Sequence, residues 1–279
     1  MTICIIGLGL IGGSMAIAFK ENSFADYIVG VDANELHCKE ALSLNLVDEI
    51  LPLQEAVLKS DLIIIAIPVD ATLQLLPTLL DMVATQVVMD VGSAKLAICK
   101  PVAEHAMRQN FVATHPMWGT EHSGPSSAKT GAFKNKAAVI CDRECSSPAS
   151  LALVQAVYKL LGMHLVYMSA AEHDVHTAYI SHVSHITSFA LANTVLEKEK
   201  EDRNIFELAS GGFESTVRLA KSNPAMWLPI FIQNKENVLD VLNEHITQLK
   251  KFKACLEKEN FTYMGELIEN ANTIKRILK

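Results

Sequence analysis

A glycine-rich turn directly after an apolar strand is the feature that most constrains the fold of this chain. Residues Ile3–Ile6 are apolar, and residues 7–12 read G-L-G-L-I-G. Glycines at this spacing let the chain turn sharply, approach a pyrophosphate and pack the next helix on the sheet, while the helix N-terminus directs free N–H groups at the phosphates. The predicted dinucleotide-binding residues are Gly7, Leu8, Gly9, Leu10, Ile11 and Gly12.

An aspartate closes the second predicted strand. Residues Tyr27–Val31 are apolar, and Asp32 follows them twenty residues after Gly12. A carboxylate at this point can bind both hydroxyls of an adenosine ribose and repel a 2′-phosphate, so the sequence favours NAD over NADP as cofactor. Asp32 could also cap a helix that begins near Glu35, and the two roles are compatible.

The apolar N-terminus also has the composition of a secretory signal or a membrane span. Residues 3–19 are uncharged and largely apolar, and no basic residue precedes them. The segment is too short and too rich in glycine to cross a bilayer, and it lacks the charged region of a signal peptide. The glycine spacing explains the same residues better.

Size and charge limit the classes of function. The 279 residues are enough for two domains, and 50% of them are hydrophobic, so a sizeable core can form. The net charge is −7, without a cluster of five or more basic residues, which argues against a nucleic-acid or membrane partner. Six cysteines include no C-x-x-C pair, a pattern typical of a reduced protein, and we expect a cytoplasmic location.

Apolar strands alternate with helical patterns through the first 168 residues. After 3–6 and 27–31, strands are predicted at 61–68, 86–91, 111–114, 137–141 and 164–168, with helices at 13–20, 36–45, 71–83, 94–109 and 148–161. Such alternation is typical of an α/β Rossmann-type fold with a doubly wound, mostly parallel sheet. We assign residues 1–168 to a dinucleotide-binding domain.

After residue 168 the pattern becomes helical throughout, and we assign residues 169–279 to an all-helical C-terminal domain. Ser169 and Glu172 have the spacing of a capping box, and Asn223-Pro224 is a cap followed by proline at the first helical position. An apolar repeat from Ile230 to Leu256 exceeds what two or three helices can cover. We therefore expect a homodimer.

Two polar clusters follow neighbouring predicted strands. Asp90 to Lys95 ends the strand 86–91, and His115 to Glu121 ends the strand 111–114. In an open parallel sheet the reactive crevice lies at the carboxyl ends of the strands, where a histidine can reach a bound nicotinamide. His115 could instead be a structural histidine at a strand end, but its position at the cofactor rim favours a catalytic role.

The helix predicted from Ser169 to about Glu199 carries four histidines. At ~100° per residue, His173 and His176 lie on one side and His182 and His185 on the other, so one ion cannot bind all four and we predict no metal site. A stripe of small and polar side chains aligns along this helix: Ala178, Ser181, His185, Ser188 and Ala192. The stripe suits close approach to a ligand, or else tight helix packing around a buried histidine.

A third cluster, Gly211 to Arg218, leads to Trp227 nine residues later. A guanidinium keeps its charge and binds a carboxylate bidentately. Arg218 is therefore a candidate for binding an acidic substrate, although an isolated arginine is more often a solvated surface residue.

Together these clusters resemble the prephenate/arogenate dehydrogenase family of tyrosine biosynthesis over nearly the whole chain. The matching segments are Gly7–Gly12, Asp90–Lys95 (D-x-G-S-x-K), His115–Gly124 (H-P-M-x-G-T-E-x-S-G), Ser181–His185 (S-H-x-x-H) and Gly211 through Arg218 to Trp227. This chain departs from the family at Ser215, where relatives often carry an acidic residue, and at Trp118, where they carry a small residue or phenylalanine.

The resemblance also implies roles for individual residues. His115 is the implied catalytic group on the ring hydroxyl of the substrate, with Ser93 beside it. Ser181 and His185 would line the nicotinamide and substrate pocket, and Arg218 would bind a substrate carboxylate. The family's pocket-entrance and specificity positions correspond to Thr120, Glu121 and Trp227.

The implied reaction is oxidative decarboxylation of prephenate to 4-hydroxyphenylpyruvate with reduction of NAD. Arogenate is the alternative substrate and would give tyrosine directly. We expect neither a regulatory ACT-like domain nor a fused chorismate mutase, so inhibition by tyrosine would act at the active site. β-Hydroxyacid dehydrogenases also join a Rossmann domain to helices, but their G-x-x-G-x-x-x-K context is missing here. A non-catalytic NAD sensor is a further alternative.

Overall fold

The computed structural model describes residues 1–200 and 205–277 of the chain. The strands are β1 Thr2–Ile6, β2 Tyr27–Val31, β3 Glu49–Ile50, β4 Leu62–Ile65, β5 Val87–Asp90, β6 Phe111–Pro116, β7 Ala137–Cys141 and β8 His164–Met168. The helices are α1 Leu10–Glu21, α2 Glu35–Ser43, α3 Leu53–Lys59, α4 Val69–Met82, α5 Leu96–Cys99, α6 Pro148–Leu160, α7 Ala170–Thr177, α8 Val183–Glu199, α9 Gly211–Val217, α10 Pro224–Gln233, α11 Lys235–Glu257 and α12 Phe261–Asn272.

The eight strands form one sheet in the order β3-β2-β1-β4-β5-β6-β7-β8. Neighbouring strands are parallel except β6 and β7, whose antiparallel register pairs His115 with Val139. Strand order 3-2-1-4-5 is that of a doubly wound dinucleotide-binding sheet. The predicted α/β class, with a mostly parallel sheet followed by helices, is confirmed.

Three local features differ from the sequence predictions. The predicted helix 94–109 is wrong: only α5 is α-helical, and 3₁₀ turns follow at Lys100–Val102 and Arg108–Asn110. Pro101 lies in the first of these turns and has no N–H with which to continue an α-helix. Strand β3 and helix α3 were not predicted, because two and seven residues are too few to show a periodicity.

Both faces of the sheet are buried, as a parallel sheet requires. One face packs against α1 and α6 through Met15, Phe19 and Tyr158, all fully buried. The opposite face packs against α4 through Leu76, Leu79 and Leu80, and α10 packs against α4 and adds Trp227 and Ile230 to the same core. The second core therefore includes side chains from both halves of the chain.

The C-terminal half is helical throughout its described part. The predicted capping box is confirmed, because Ser169 and Glu172 each accept a hydrogen bond from the other's backbone N–H. Asn223 caps α10 with Pro224 at the first helical position, as predicted. Helices α7 and α8 are joined without a loop by a π-helical turn at Ala178–His182. Within residues 1–200 and 205–277, no helix combines the length and apolar character needed to cross a bilayer.

The first helix of the C-terminal half is anchored in the N-terminal half. The side chain of Ala170 lies in the core beneath the sheet. The carboxylate of Asp174 accepts the backbone N–H groups of Lys95 (2.7 Å) and Leu96 (2.9 Å) at the start of α5. A buried side chain thus satisfies N–H groups that the short helix α5 leaves free. Helix α7 therefore belongs to the packing of both halves.

Candidate active site

The glycine turn has the shape that a pyrophosphate cradle needs. Gly7 has φ +97°, and a Cβ there would lie 2.4 Å from the carbonyl oxygen of Ala66; a Cβ on Gly12 would lie 2.1 Å from the carbonyl oxygen of Gly7. No atom of residues 1–200 or 205–277 would lie within 4 Å of a Cβ on Gly9, so that side of the turn is open in the described part of the chain. The first backbone hydrogen bond of α1 joins Gly13 N–H to Gly9 C=O, which leaves earlier N–H groups available for an anion.

Not every predicted residue of the turn offers a free backbone group. The N–H of Leu8 donates to Asp32 Oδ2 at 2.8 Å, and the side chain of Leu8 is fully buried in the core. Leu10 is also buried, whereas Ile11 is partly exposed at the start of α1. Leu8 therefore links the turn to Asp32, and the open surface is formed by Gly9 and the residues that follow it.

Asp32 lies at the carboxyl end of β2 with 12% of its side chain exposed. Its Oδ1 accepts the N–H of Asn34 at 2.8 Å, and His37 Nδ1 lies 3.5 Å from its Oδ2. The helix cap is Asn34, whose side chain accepts the N–H of Leu36, so the capping role considered for Asp32 belongs to Asn34 instead. The backbone contacts hold the Asp32 carboxylate at the rim of the turn, where a ribose would lie.

A buried ion pair fixes the two strand ends that carry the polar clusters. Asp90 and Lys95 have fully buried side chains and form a salt bridge. Asp90 also accepts the N–H of Gly92 (2.9 Å) and of Thr114 (3.1 Å), and Lys95 Nζ donates to the carbonyl of Thr114 (2.8 Å). Half-buried Ser93 lies in the loop that this network holds. The network therefore fixes the backbone immediately before His115.

His115 meets a second histidine from the helical half. Its Nδ1 lies 2.9 Å from Nε2 of His173, and His173 Nδ1 lies 2.8 Å from Oδ1 of Asp174. Burial lowers the pKa of His115 well below that of an exposed histidine, and the cation of Lys95 lowers it further. Burial also lowers the pKa of His173, against the opposing effect of its hydrogen bond to Asp174. Both imidazoles are therefore neutral at neutral pH.

Burial does not divide the four histidines of the long helix into the two pairs that helical geometry predicts. His173 and His182 are both buried, and the only exposed member of the four is His176. The π-helical turn between them has more residues per turn than an α-helix, so the rotation from His173 to His182 is smaller than a constant 100° per residue gives. Burial therefore does not separate His173 from His182, and their positions on opposite sides of the helix stay a prediction. Among the described residues, no group of three His, Cys, Asp or Glu side chains could hold a metal ion.

His185 and Trp227 form a stacked pair. Their ring centroids are 3.4 Å apart with an angle of 26° between the planes. Nδ1 of His185 lies 3.0 Å from the carbonyl oxygen of Ser181, which can only accept, so His185 carries a proton on Nδ1. Trp227 is 7% exposed, and its indole N–H has no hydrogen-bond partner within the described ranges. Among the described residues, the pair thus presents one free donor, the indole N–H of Trp227, and one free acceptor, Nε2 of His185.

The predicted stripe on this helix divides between packing and the site. Ala178 is fully buried in a small cluster with Val238 and Val241. Ser188 is buried and donates to the carbonyl of Thr216 at 3.0 Å. The packing interpretation therefore describes these two residues, whereas His185 stacks on Trp227 and is held by the carbonyl oxygen of Ser181.

Arg218 pairs with Glu121 from the other half of the chain. Arg218 Nη1 lies 3.2 Å from Glu121 Oε2, and the two side chains are 52% and 20% exposed. Thr120, beside Glu121, accepts the N–H of His122 at 3.3 Å and is partly buried. Arg218 is therefore not an isolated surface arginine, although half of its side chain remains open to solvent.

Sequence reasoning missed two residues next to the predicted catalytic histidine. His173 contacts His115 directly, and Asp174 is connected to His115 through His173. His173 was considered only as a metal ligand, and Asp174 was not singled out. The signal present in the sequence is a histidine followed by an aspartate in the first two turns after the capping box. Their approach to His115 depends on how α7 docks, which no local pattern reveals.

Comparisons with known proteins identify related sequences along almost the whole chain. A family model described as "Prephenate dehydrogenase, nucleotide-binding domain" matches residues 15–167, and one described as "Prephenate dehydrogenase, dimerization domain" matches residues 169–270. The chain is 33% identical over 264 residues to the prephenate dehydrogenase of Bacillus subtilis (strain 168), covering 93% of this chain and 71% of that protein.

Two solved structures share the fold over their full length. The prephenate dehydrogenase of Aquifex aeolicus in complex with hydroxyphenyl propionate and NAD+ has a TM-score of 0.91 and 26% identity, covering 100% of this chain and 98% of that one. The arogenate dehydrogenase of Synechocystis has a TM-score of 0.79 and 27% identity, with 100% of both chains covered.

Proposed function

The chain belongs to the prephenate dehydrogenase family, and from this premise we propose that it catalyses the NAD-dependent oxidative decarboxylation of prephenate to 4-hydroxyphenylpyruvate. The observation that carries the proposal is a neutral imidazole, His115, at the same carboxyl edge of the sheet as the glycine turn. Family membership argues against a β-hydroxyacid dehydrogenase, and turnover of prephenate would exclude a non-catalytic NAD sensor.

The proposed mechanism assigns the proton chemistry to His115. Bound NAD supplies a hydride acceptor. Nδ1 of His115 is engaged by His173, so the opposite nitrogen accepts the proton of the ring C4 hydroxyl as the C4 hydrogen leaves as hydride. The bond between the ring and its carboxylate then breaks, its electron pair completes the aromatic ring, and carbon dioxide departs. The proton returns to the new phenol oxygen, so protons balance without a further acid.

The remaining site residues would bind and orient the substrate. Arg218 supplies a permanent charge for a carboxylate, and Trp227 offers a buried N–H that no described residue accepts. Ser93, Ser181 and His185 line the pocket beside the nicotinamide, and Thr120 and Glu121 lie at its entrance. We assign residues 1–168 to cofactor binding and residues 169–279 to substrate binding and dimerisation.

A steady-state comparison tests the proposal. The purified chain is assayed with prephenate and with arogenate, each with NAD and with NADP, while reduced cofactor and aromatic product are measured. We expect the highest kcat/KM with prephenate and NAD. Arogenate remains the second candidate, because the arogenate dehydrogenase of Synechocystis aligns over the full chain. Turnover of neither substrate would contradict the proposed activity.

Asp32→Asn is expected to shift cofactor preference toward NADP. The variant keeps one acceptor oxygen for the backbone but loses the charge that binds ribose hydroxyls and repels a 2′-phosphate. We expect the ratio of kcat/KM for NAD to that for NADP to fall roughly 10- to 100-fold, from the loss of one or two charge-assisted hydrogen bonds. Asn34→Ala, which removes the cap of α2, is the control. A ratio as high as that of the wild type would exclude Asp32 as the discriminating residue.

An exposed apolar face on the last helices supports dimerisation. On α11, Leu239, Ile246, Leu249 and Leu256 are 38–57% exposed, and Phe261 on α12 is 62% exposed. Spacings of seven, three and seven residues along α11 place these side chains on one stripe. A contiguous apolar surface of this kind is typical of a subunit interface.

Light scattering at micromolar concentration should therefore give twice the 30.5 kDa chain mass. Leu249→Glu would place a charge in the interface and should yield a monomer with an unchanged circular dichroism spectrum. The matched control is Leu58→Glu, at a 76% exposed leucine on α3, which should remain dimeric. A monomeric wild-type protein would disprove the assignment of this face.

A further inference from the structure

Three titratable side chains form a continuous hydrogen-bonded chain that ends at the predicted catalytic histidine. Asp174 Oδ1 lies 2.8 Å from Nδ1 of His173, and His173 Nε2 lies 2.9 Å from Nδ1 of His115. His173 and Asp174 are each 1% exposed, so water does not compete for these contacts. The two residues come from α7, whereas His115 comes from β6.

The positions of the protons follow from the acceptors. Both oxygens of Asp174 accept backbone N–H groups, from Lys95 and Leu96, and a carboxylate only accepts. His173 therefore donates from Nδ1 to Asp174. A neutral imidazole has a single N–H, so Nε2 of His173 is an acceptor and receives the Nδ1–H of His115. This arrangement leaves Nε2 of His115 with a free lone pair.

The surrounding groups keep both imidazoles in the neutral form that this arrangement needs. Burial lowers the pKa of His115 and of His173, and the cation of Lys95 lowers both further. The other groups that act on His173 are the carboxylates of Asp174 and Asp90, which raise its pKa. His182 acts on His115, and burial lowers the pKa of His182 to about 4, so it is neutral as well. Asn234 lies 3.2 Å from Nδ1 of His182.

We propose that His173 and Asp174 are positioning residues that hold His115 in the tautomer with a free Nε2 and stabilise the positive charge that His115 gains during the reaction. The inference rests on the proposed function, in which the substrate O–H bond breaks and its proton moves to Nε2 of His115. The imidazolium then keeps its Nδ1–H bond to His173, which is itself bonded to the Asp174 carboxylate. When the proton returns to the product oxygen, the three side chains are restored.

This arrangement also makes the base depend on the helical half. The hydrogen bond that selects the tautomer of His115 is supplied by α7, and α7 is held by the contacts of Asp174 with the start of α5. Without a hydrogen-bond partner, a neutral histidine favours neither this orientation of the ring nor the tautomer that is protonated on Nδ1. His115 is therefore a competent base only when α7 is docked.

We call the hydrogen-bonded chain Asp174–His173–His115 the relay. Two replacements of His173 distinguish a role in the relay from a role in packing. His173→Gln keeps an acceptor for His115 and a donor for Asp174, whereas His173→Phe keeps the ring shape but has neither. We expect His173→Phe to lower kcat roughly 10- to 100-fold, with KM and the Kd for NAD within about threefold of the wild type. We expect His173→Gln to recover most of the lost kcat. If His173 acted through packing alone, His173→Phe would keep a higher kcat than His173→Gln, because phenylalanine conserves the ring.

The pH profile provides a second measurement. The imidazolium of His115 loses its acceptor in His173→Phe, so the pKa of His115 falls, and the acid limb of the kcat profile should move to lower pH. The control is Ser169→Ala, which removes the capping box of α7 without touching the relay and should leave the acid limb in place. If His173→Phe keeps the kcat and the acid limb of the wild type, the inference is overturned.

A measurement on the unmodified protein remains decisive if the variants fail to fold. Nitrogen-15 spectra of histidine-labelled protein at pH 8 should show His115 and His173 in the Nδ1–H tautomer. Either residue in the Nε2–H tautomer would overturn the inference. This result does not depend on turnover, so an inactive wild-type protein with both tautomers as expected would contradict the proposed function and leave the relay intact.

Discussion

Replacing His115 with asparagine should lower kcat roughly 10²- to 10⁴-fold, the usual contribution of a general base. Asparagine is close in size and can donate to His173, but its amide has no lone pair basic enough to accept the hydroxyl proton. The glycine turn follows β1 and Asp32 follows β2, and strands β4 and β5 separate both from the substituted strand β6. The Kd for NAD should therefore remain unchanged in fluorescence titrations, so that the loss appears in kcat alone.

His176→Asn is the matched control for this variant. His176 lies on α7, close in sequence to the relay, but its side chain is exposed, and we expect wild-type kinetics. Near-normal turnover by His115→Asn would refute the assignment of His115 as the base. A parallel loss of NAD affinity would instead indicate a disturbed fold at the end of β6.

Arg218→Ala should raise KM for the substrate by about 10²-fold. A substrate carboxylate left without its charge-assisted partner loses about 2–3 kcal/mol, and each ~1.4 kcal/mol corresponds to a factor of ten. In the structure Arg218 pairs with Glu121, so substrate binding exchanges one carboxylate partner for another. Because half of the guanidinium side chain is exposed, solvent keeps the effect below that of a fully buried pair.

Lys221→Ala provides a control of equal charge in the same 3₁₀ turn, Arg218–Lys221. Lys221 is exposed, and its loss should change KM by less than about threefold if general electrostatic attraction is minor. An unchanged KM in Arg218→Ala would remove Arg218 from the substrate site. Equal increases of KM in both variants would show that the effect comes from the general positive charge of this surface and not from a specific contact of Arg218.

Much of the N-terminal fold could be predicted because it depends on local signals. The glycine spacing fixes β1, the turn and α1, and buried parallel strands appear as apolar runs such as Leu62–Ile65. The antiparallel direction of β7 could not be predicted, because an apolar run has no direction. The helix predicted at 94–109 failed because Pro101, which has no N–H with which to continue an α-helix, follows the short α5.

The candidate site was predictable where strand ends and charged motifs mark it. His115 follows an apolar strand, and Arg218 follows a pair of glycines. The contact of His173 with His115 was missed because it depends on how α7 docks against the sheet, 58 positions away in the sequence. Nor could the sequence show that Arg218 finds Glu121, since the two residues are 97 positions apart.

The docking of α7 under the sheet limits how modular this protein can be. A chimera made by exchanging everything after residue 168 with a relative would replace Ala170 and Asp174, which complete the core and the start of α5. The two halves of the chimera would then lack matching packing and hydrogen-bonding contacts at their interface. A crossover inside the π-helical turn, Ala178–His182, would instead transfer α7 together with the sheet that it completes.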